Sequence, residues 1–287
     1  MPQPAATIPS PPSKLRRGLI FGLLALTPPL MLALWSTSIV AALALFALAH
    51  AAILLPIFLP RLDWLGPVIT HFEPNPALDE QHEQHEHDEQ NQKTVWLTID
   101  DGPDPEDSLL ILDLLDRYQA RATFFVKGEL AAAHPEVIRA MQSRGHQIAN
   151  HSHTHPTAFF WCALPATIER ELRACNAAIT AAGCERPTLF RAPVGIKSPA
   201  LHPVLARLGM RLCAWSIRTY DGVASFDPAA VEARVLEQLR PGAILCMHQG
   251  VRDRNGAPLS PVGIARVLEA LRRRGYRCVI PAQSRLR

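Results

Sequence analysis

The 287-residue sequence lacks any pairing pattern among its few cysteines. The six cysteines are scattered, with no C-x-x-C spacing, at positions 162, 175, 184, 213, 246 and 278. This pattern disfavours a disulfide framework and favours a reducing compartment. Cys213 and Cys246 lie within apolar runs and are expected to be small buried hydrophobic residues.

Several motifs of common enzyme classes are also missing. The sequence has no G-x-G-x-x-G or Walker loop to indicate nucleotide binding, and no G-x-S-x-G nucleophile elbow. No cysteine has an obvious base partner, so covalent acyl transfer is disfavoured. The net charge is only +3, and we expect no nucleic-acid partner.

Charged side chains are absent from residues 18–60. A membrane-spanning helix needs about 20 apolar residues, so we predict two helices, at about 18–35 and 38–59. The Pro-rich residues 1–17 end in basic side chains and are predicted to be a disordered tail. A signal peptide is the alternative, since Ala47-Leu48-Ala49 resembles a cleavage site. The apolar region, however, exceeds the roughly 7–15 residues of a signal core.

The number of spans decides the membrane side of the remaining chain. The basic residues before the first span are expected to stay in the cytoplasm. A hairpin then returns the remainder to the cytoplasm, whereas a single broken span would place it in the periplasm. We expect the hairpin, in a multi-pass protein of the inner (plasma) membrane with the bilayer as a partner. A periplasmic domain is the alternative.

Residues 61–93 are predicted to be an acidic linker rich in His, Gln and Glu. A low-complexity polar run of this kind cannot bury a core. His82, His85 and His87 could bind a metal, but nothing there fixes a coordination geometry, so we interpret the run as a solvated spacer.

Residues 94–281 show strand-like runs alternating with helical ones, and 282–287 are predicted to be a tail. Predicted strands lie at 95–99, 122–126, 146–149, 188–190, 211–217, 243–247 and 277–280. Predicted helices lie at 106–118, 129–144, 165–182, 199–208, 228–239 and 261–274. Alternation predicts a parallel sheet, and seven repeats in under 200 residues favour an imperfect (β/α)7-8 barrel over an open doubly wound sheet.

Polar side chains follow the predicted strands at one end. They are Asp100, Asp101, His151, His155, Arg191, Asp221 and His248. In a parallel barrel these positions open onto the face where sites are built.

The sequence offers one metal-binding combination at this face. His151 and His155 are four residues apart, and a helical turn would place them on one side, with His153 pointing away. With Asp101 they would form a facial triad with open coordination positions. Asp100 would then remain free as a base, although an Asp-Asp-Gly-Pro turn is the structural alternative. His248 is a candidate general acid, with Asp221 to orient it.

These residues resemble the NodB-type polysaccharide deacetylases, carbohydrate esterase family 4. The family's ordered motifs read here as Thr98-Ile99-Asp100-Asp101-Gly102, His151-Ser152-His153-Thr154-His155, Arg191-Ala192-Pro193-Val194, Trp215–Asp221 and Cys246-Met247-His248. The resemblance covers nearly all of residues 94–281. It implies a NodB-type barrel, preceded here by the predicted membrane hairpin, and hydrolysis of an N-acyl group from an amino sugar.

The resemblance also implies roles at each position. Asp100 would be the general base, and Arg191 would pair with it and keep it ionised. Asp101, His151 and His155 would hold one divalent metal, usually zinc, with cobalt, nickel or manganese as alternatives. His248 would protonate the departing amine, oriented by Asp221. A backbone N–H near Val194 would help to bind the oxyanion.

Three positions depart from the family pattern. Val194 replaces an aromatic residue, Arg218 replaces an Asp, and Gly222 replaces a Trp. We therefore expect Val194, Trp215 and Arg218 to contact substrate, and Arg218 to favour an anionic group such as the diphosphate of a lipid-linked sugar. One alternative is a periplasmic enzyme acting on peptidoglycan or an exported polysaccharide. Another is an inactive, membrane-tethered sugar-binding protein on the same fold.

Overall fold

The computed structural model describes residues 12–74 and 93–287. Most of the predicted tail (1–17) and of the predicted linker (61–93) lies outside the described residues, as do His82, His85 and His87.

Two apolar helices form the first part of the fold. Helix α1 (Pro12–Trp35) begins within the predicted tail, and α2 (Ile39–Phe58) packs against it. Arg16, near the start of α1, forms an ion pair with Asp63, just beyond the end of α2. By length and composition both helices could cross a membrane, and many of their large apolar side chains are exposed. They are consistent with a transmembrane hairpin.

The rest of the described chain is a parallel α/β fold. Its strands are β1 (Val68–Ile69), β2 (Lys93–Asp100), β3 (Ala122–Val126), β4 (Gln147–Asn150), β5 (Leu189–Phe190), β6 (Arg211–Cys213), β7 (Ile217–Arg218), β8 (Ile244–His248) and β9 (Tyr276–Cys278). Its helices are α3 (Asp107–Arg117), α4 (Gly128–Ala133), α5 (Pro135–Ser143), α6 (Pro165–Ala181), α7 (Leu201–Leu208), α8 (Pro228–Gln238) and α9 (Ser260–Arg273). The ladder order is β1-β6-β5-β4-β3-β2-β8-β7, and β9 pairs with β2. The ladders between these strands are parallel, so the predicted imperfect barrel is confirmed.

The sheet separates two layers of apolar side chains. Alternation along β2 sends Val95, Leu97 and Ile99 outward, into the layer beneath the helices. Trp96 belongs to the opposite, inner cluster. Asp100 has the same parity as Trp96, so the pleat itself directs this carboxylate into the barrel.

Two predicted elements are each divided in the structure. The predicted strand 211–217 becomes β6 and β7, which lie near opposite ends of the ladder order. The chain between them crosses the opening of the sheet: Ala214 N–H donates to Ile69, and Ser216 N–H donates to Ile244. The predicted helix 129–144 becomes α4 and α5, because Pro135 has no N–H with which to continue a helix.

The ends of the barrel also differ from the predicted boundaries. Residues 68–74, predicted to be linker, form β1 and then pair with 285–287, predicted to be a tail. Thr70 and His71 N–H both donate to the carbonyl of Arg287, and Glu73 N–H donates to that of Arg285. Hydrogen bonding of these peptide groups and burial of Phe72 and Leu286 make both segments part of the barrel.

Candidate active site

The carboxyl ends of the strands bring the predicted polar residues to one mouth. Asp100 and His248 end β2 and β8 and are directly paired in the ladder. His151 follows β4, Arg191 follows β5, and Asp221 lies three residues beyond β7. Parallel pairing therefore gathers side chains that are up to 148 positions apart in the sequence.

Asp101, His151 and His155 form a compact group of potential metal ligands. The Nε2 atoms of the two histidines are 3.2 Å apart. Oδ1 of Asp101 is 3.4 Å from Nε2 of His155 and 3.8 Å from Nε2 of His151. Ligand atoms of tetrahedral zinc, with bonds of about 2.0–2.2 Å, lie about 3.3–3.5 Å apart. The spacing of the three atoms therefore fits a zinc-sized ion.

Two further observations support this fit. Oδ1 of Asp101 is buried and accepts no hydrogen bond from any residue within 12–74 or 93–287. Nδ1 of His151 lies 2.9 Å from the carbonyl oxygen of Arg191, which leaves Nε2 as the unprotonated nitrogen when the ring is neutral. Burial, together with the nearby His151, lowers the pKa of His155 to about 4, so its ring is also neutral and free to ligate at neutral pH.

The loop that carries the histidines is not the predicted helical turn. Ser152 and His155 have positive φ angles of 66° and 54°, and an irregular loop brings the two rings together. Such angles are costly for residues other than glycine and need local support. Oδ1 of Asn150 accepts the Ser152 N–H, and the buried Glu171 carboxylate accepts the N–H groups of His153 and Thr154.

His153 lies apart from this group. Its Nδ1 packs against Gly128, where an added Cβ would approach it to 2.3 Å. It is not among the residues whose ligand atoms cluster. Gly128 thus provides the space that His153 needs on the helix side of the loop.

Asp100 and Arg191 form a fully buried ion pair beside the ligand group. Nη1 of Arg191 donates to Oδ1 of Asp100 over 2.6 Å and to Thr98 over 2.8 Å, while Nη2 donates to the Ala214 carbonyl. The guanidinium also stacks over Phe125, 4.1 Å from the ring centroid. Burial would lower the pKa of Arg191, but the Asp100 charge outweighs it and raises the pKa, so the guanidinium stays charged.

His248 and Asp221 form a second coupled pair at the mouth. Nδ1 of His248 lies 2.7 Å from Oδ1 of Asp221, and the His248 N–H donates to Oδ2. The Thr219 hydroxyl also donates to Asp221, which is completely buried. Burial acts to lower the pKa of His248, but the hydrogen bond and charge of Asp221 outweigh it and raise the pKa to about 9.

A second trio of potential ligands, Asp100, Cys246 and His248, is less suited to a metal. Burial and the Asp100 charge raise the pKa of Cys246 well above its usual value, so the thiol remains protonated. It donates to Oδ2 of Asp100 over 3.4 Å. Asp100 and His248 are also committed to Arg191 and Asp221. Within this trio, the Cys246 thiol is therefore a hydrogen-bond donor to Asp100 rather than a metal ligand.

Of the three positions predicted to contact substrate, Val194 and Arg218 are exposed at the mouth, whereas Trp215 is buried in the inner cluster. Val194 is exposed and has a φ of 48°, a strained angle for a β-branched residue. Arg218 is exposed and stacks over Trp215 and Tyr220, 5.7 Å and 4.8 Å from their ring centroids. Gly222 allows its loop to approach the His248 ring, where a Cβ would lie only 3.1 Å away.

Sequence reasoning missed three residues that organise the site. Lys127 follows β3, and its Nζ lies 3.6 Å from Oδ1 of Asp101. Its position after a strand was the signal that could have identified it. Asn150 and Glu171 support the histidine loop. Glu171 could have been identified because it is a carboxylate on the buried face of α6.

Comparisons with known proteins agree with this architecture. The polysaccharide deacetylase family profile matches residues 87–213. The chain is 34% identical over 194 residues to a chitooligosaccharide deacetylase from a Bradyrhizobium species, covering 64% of this chain and 87% of that protein. It is 28% identical over 197 residues to a peptidoglycan-N-acetylglucosamine deacetylase from Bacillus cereus, covering 66% and 86%.

A solved structure shows the same fold. A family 4 carbohydrate esterase from Streptomyces lividans, in complex with acetate, superposes with a TM-score of 0.59 at 29% identity. The match covers 68% of this chain and 97% of that one. With the ordered motifs meeting at one mouth, these similarities show that the chain belongs to the NodB-type polysaccharide deacetylases, carbohydrate esterase family 4, and is a hydrolase of that class.

Proposed function

We propose that this protein is a metal-dependent hydrolase that removes an N-acyl group, acetyl or formyl, from an amino sugar. The observation that carries the proposal is the arrangement of three units at one mouth. A candidate ligand group (Asp101, His151 and His155) lies beside the Asp100 carboxylate, which is held by Arg191, and beside His248, which is held by Asp221.

Asp101, His151 and His155 would hold one divalent transition metal, with zinc the best fit to their mixed nitrogen and oxygen donors. When bound, the ion supplies a Lewis acid for the amide carbonyl and makes water more acidic. The lowered pKa of His155 leaves its ring without a competing proton at the ligand nitrogen.

Asp100 is suited to the role of general base. Arg191 donates to its Oδ1, while Oδ2, which also accepts the long contact from the Cys246 thiol, lies 3.9 Å from Nε2 of His151. A water that lies between Asp100 and the ligand group attacks the acyl carbon and passes one proton to Oδ2 of Asp100. Because the Arg191 guanidinium favours a negative charge on this carboxylate, Asp100 is suited to accept that proton.

His248 is suited to the role of general acid. Its raised pKa of about 9 keeps the ring protonated at neutral pH, and Asp221 holds Nδ1, so Nε2 carries the proton that can be donated. As the tetrahedral intermediate collapses, the C–N bond breaks and this proton passes to the sugar nitrogen. The products are a carboxylic acid and a free amine. The strained backbone at Val194 supports a role for a nearby N–H in binding the developing oxyanion.

Arg218 supports a narrower proposal for the substrate. It is an exposed cation on the mouth, held between two aromatic rings, and no ion pair to it is formed by the described residues. A guanidinium in this position suits a phosphate group. With the apolar hairpin, this favours a lipid-linked N-acyl amino sugar carrying a diphosphate.

The central test combines metal analysis with product release. Purified full-length protein should bind one equivalent of zinc, lose activity on chelation, and release acetate or formate from an N-acyl amino sugar. Absence of both metal and release would refute the proposal and favour an inactive sugar-binding protein. Rapid turnover of soluble chito-oligomers with none of polyprenyl-linked sugars would refute the lipid-linked substrate alone.

A periplasmic peptidoglycan or exported-polysaccharide deacetylase is the second candidate, favoured by the relative from Bacillus cereus. The ion pair between Arg16 and Asp63 supports the first candidate, because it places the start of α1 and the exit of α2 on the same side. A reporter fused after Arg287 should be active in the cytoplasm. Activity only outside would support the second candidate.

A further inference from the structure

The end of α2 is fixed directly to the barrel. Nζ of Lys197 donates to the carbonyl oxygens of Leu59, Pro60 and Leu62 over 2.9, 3.2 and 2.6 Å. The backbone N–H of Lys197 donates to the carbonyl oxygen of Ile57. Lys197 is buried, and all three ammonium donors are used. The Lys197 backbone N–H satisfies the Ile57 carbonyl, which the end of α2 leaves unpaired, and Nζ satisfies carbonyls at the cap and just beyond it. The hairpin is therefore held rigidly against the loop that follows Arg191.

This junction adjoins the catalytic mouth. A Cβ at Gly195 would lie 2.6 Å from both Pro60 Cγ and Trp215 Cη2, so the exit of α2, the strained loop and the inner aromatic residue are in close contact. The mouth is thus beside the end of the hairpin.

Residues 156–164, which we term the rim segment, connect the histidine loop to α6. The segment contains no charged residue and exposes Phe159, Trp161 and Leu164, with 73% of Phe159 and 71% of Leu164 accessible. Phe160 between them is buried in the barrel and anchors the segment. Large apolar side chains held outward in this way indicate a contact surface.

The rim segment is continuous with the hairpin. The Trp161 ring lies 6.3 Å from that of Phe58 in the last turn of α2, and both rings are exposed. Tryptophan favours the boundary between lipid and water, where its amphipathic ring matches the headgroup region. The apolar surface of α2 therefore extends onto the rim of the active site without a polar boundary between Phe58 and Trp161.

We propose that the rim segment and the end of α2 form one bilayer-contacting surface, which seats the catalytic mouth at the lipid headgroups. The proposal rests on the membrane hairpin and deepens the proposed function. It identifies the substrate class as an amphiphile whose amino sugar lies at headgroup depth. Such a substrate reaches the site by lateral diffusion in the bilayer.

Cys162 provides a direct test, because it is the exposed cysteine of the rim segment while the other five are buried. Full-length protein in phosphatidylcholine–phosphatidylglycerol nanodiscs is labelled there with an environment-sensitive fluorophore, and quenching by brominated lipids is measured. The control is Ser143→Cys in a Cys162→Ser background. Ser143 is exposed at the end of α5, which leads into the start of β4 and so lies at the opposite end of the barrel.

Strong quenching at Cys162 with none at the control is expected. Equal and weak quenching at both positions would overturn the proposal. Protection of Cys162 from labelling without lipid quenching would also overturn it, by showing that a second copy or another protein covers the segment.

A functional measurement separates this proposal from the proposed function. The double variant Phe159→Ser/Trp161→Ser should lower kcat/KM at least about tenfold for an N-acetylglucosaminyl lipid in vesicles, through loss of apolar contact area. It should leave hydrolysis of a short soluble N-acetyl oligosaccharide unchanged, which also reports correct folding. Equal loss on both substrates would refute bilayer seating. If the wild type hydrolyses neither, the proposed function fails while the quenching result still decides the bilayer contact.

Discussion

His155 and His248 line the same mouth, yet their environments keep the His155 ring neutral and the His248 ring protonated at neutral pH. Burial and a neighbouring imidazole lower the pKa of His155 to about 4. His248 is partly buried, which also acts to lower its pKa, but a direct hydrogen bond from its ring to Asp221 raises the pKa to about 9. Asp101 lies 3.4 Å from His155 without a hydrogen bond to it, and its effect is smaller. The comparison shows that the partner of each ring, rather than burial, sets its charge, which suits His155 to bind a metal and His248 to act as an acid.

The largest expected effect comes from removing Asp101 from the candidate ligand group that contains His155. Asp101→Ala should abolish metal binding and reduce turnover about a thousandfold or more, because the ion stabilises charge in the transition state. Metal content measured by mass spectrometry and release of acetate are the readouts. His153→Ala is the matched control and should keep its metal. A His153→Ala protein that loses metal would place His153 in the ligand set.

The next largest effect comes from removing the protonated ring of His248. His248→Gln should reduce kcat by about 10²- to 10⁴-fold, the usual contribution of a general acid. Metal content should stay at the wild-type level, because His248 is committed to Asp221. Loss of metal in this variant would show instead that His248 is a ligand, and would end the division between the two histidines.

A smaller and pH-dependent effect tests the origin of the His248 charge. His248 acts when protonated, so wild-type activity should fall as pH rises through about 9. Asp221→Asn removes the carboxylate that raises this pKa, while burial still lowers it. If the pKa falls to the usual 6.5, the protonated fraction at pH 8 drops about thirtyfold. The profile of kcat against pH should therefore shift to lower pH, with little change near pH 6. An unshifted profile would contradict the assignment.

The smallest effect tests the support of the histidine loop. Glu171→Gln keeps the shape of the side chain but weakens the acceptor of two backbone N–H groups, so metal affinity should fall about tenfold. Competition with a chelator measures this affinity. Glu169→Gln on the same helix is the control, since Glu169 forms surface ion pairs of little energetic value. Equal affinities in the two variants would show that the loop does not depend on Glu171.

Much of the barrel could be predicted from the sequence, because its strands are short apolar runs with polar residues at one end. Asp100 and His248 were placed at strand ends by this pattern and are paired in the ladder. The gap between β6 and β7 could not be predicted, since residues 211–217 form one continuous strand-like run and only tertiary pairing divides them. The conformation of the loop that carries His151 and His155 could not be predicted either. Its positive φ angles depend on hydrogen bonds to the side chains of Asn150 and Glu171, and no sequence pattern indicates these bonds.

The pairing of residues 70–73 with 285–287 has a consequence for biosynthesis. Residues 70–73 leave the ribosome soon after the hairpin but bond to peptide groups more than 200 positions later in the chain. At about 5–20 residues per second, those groups follow about 10–40 seconds afterwards. The two apolar helices are therefore complete long before β1 obtains its full set of partners. Completion of these helices and completion of the hydrolase domain are thus separated in time by the order of the chain.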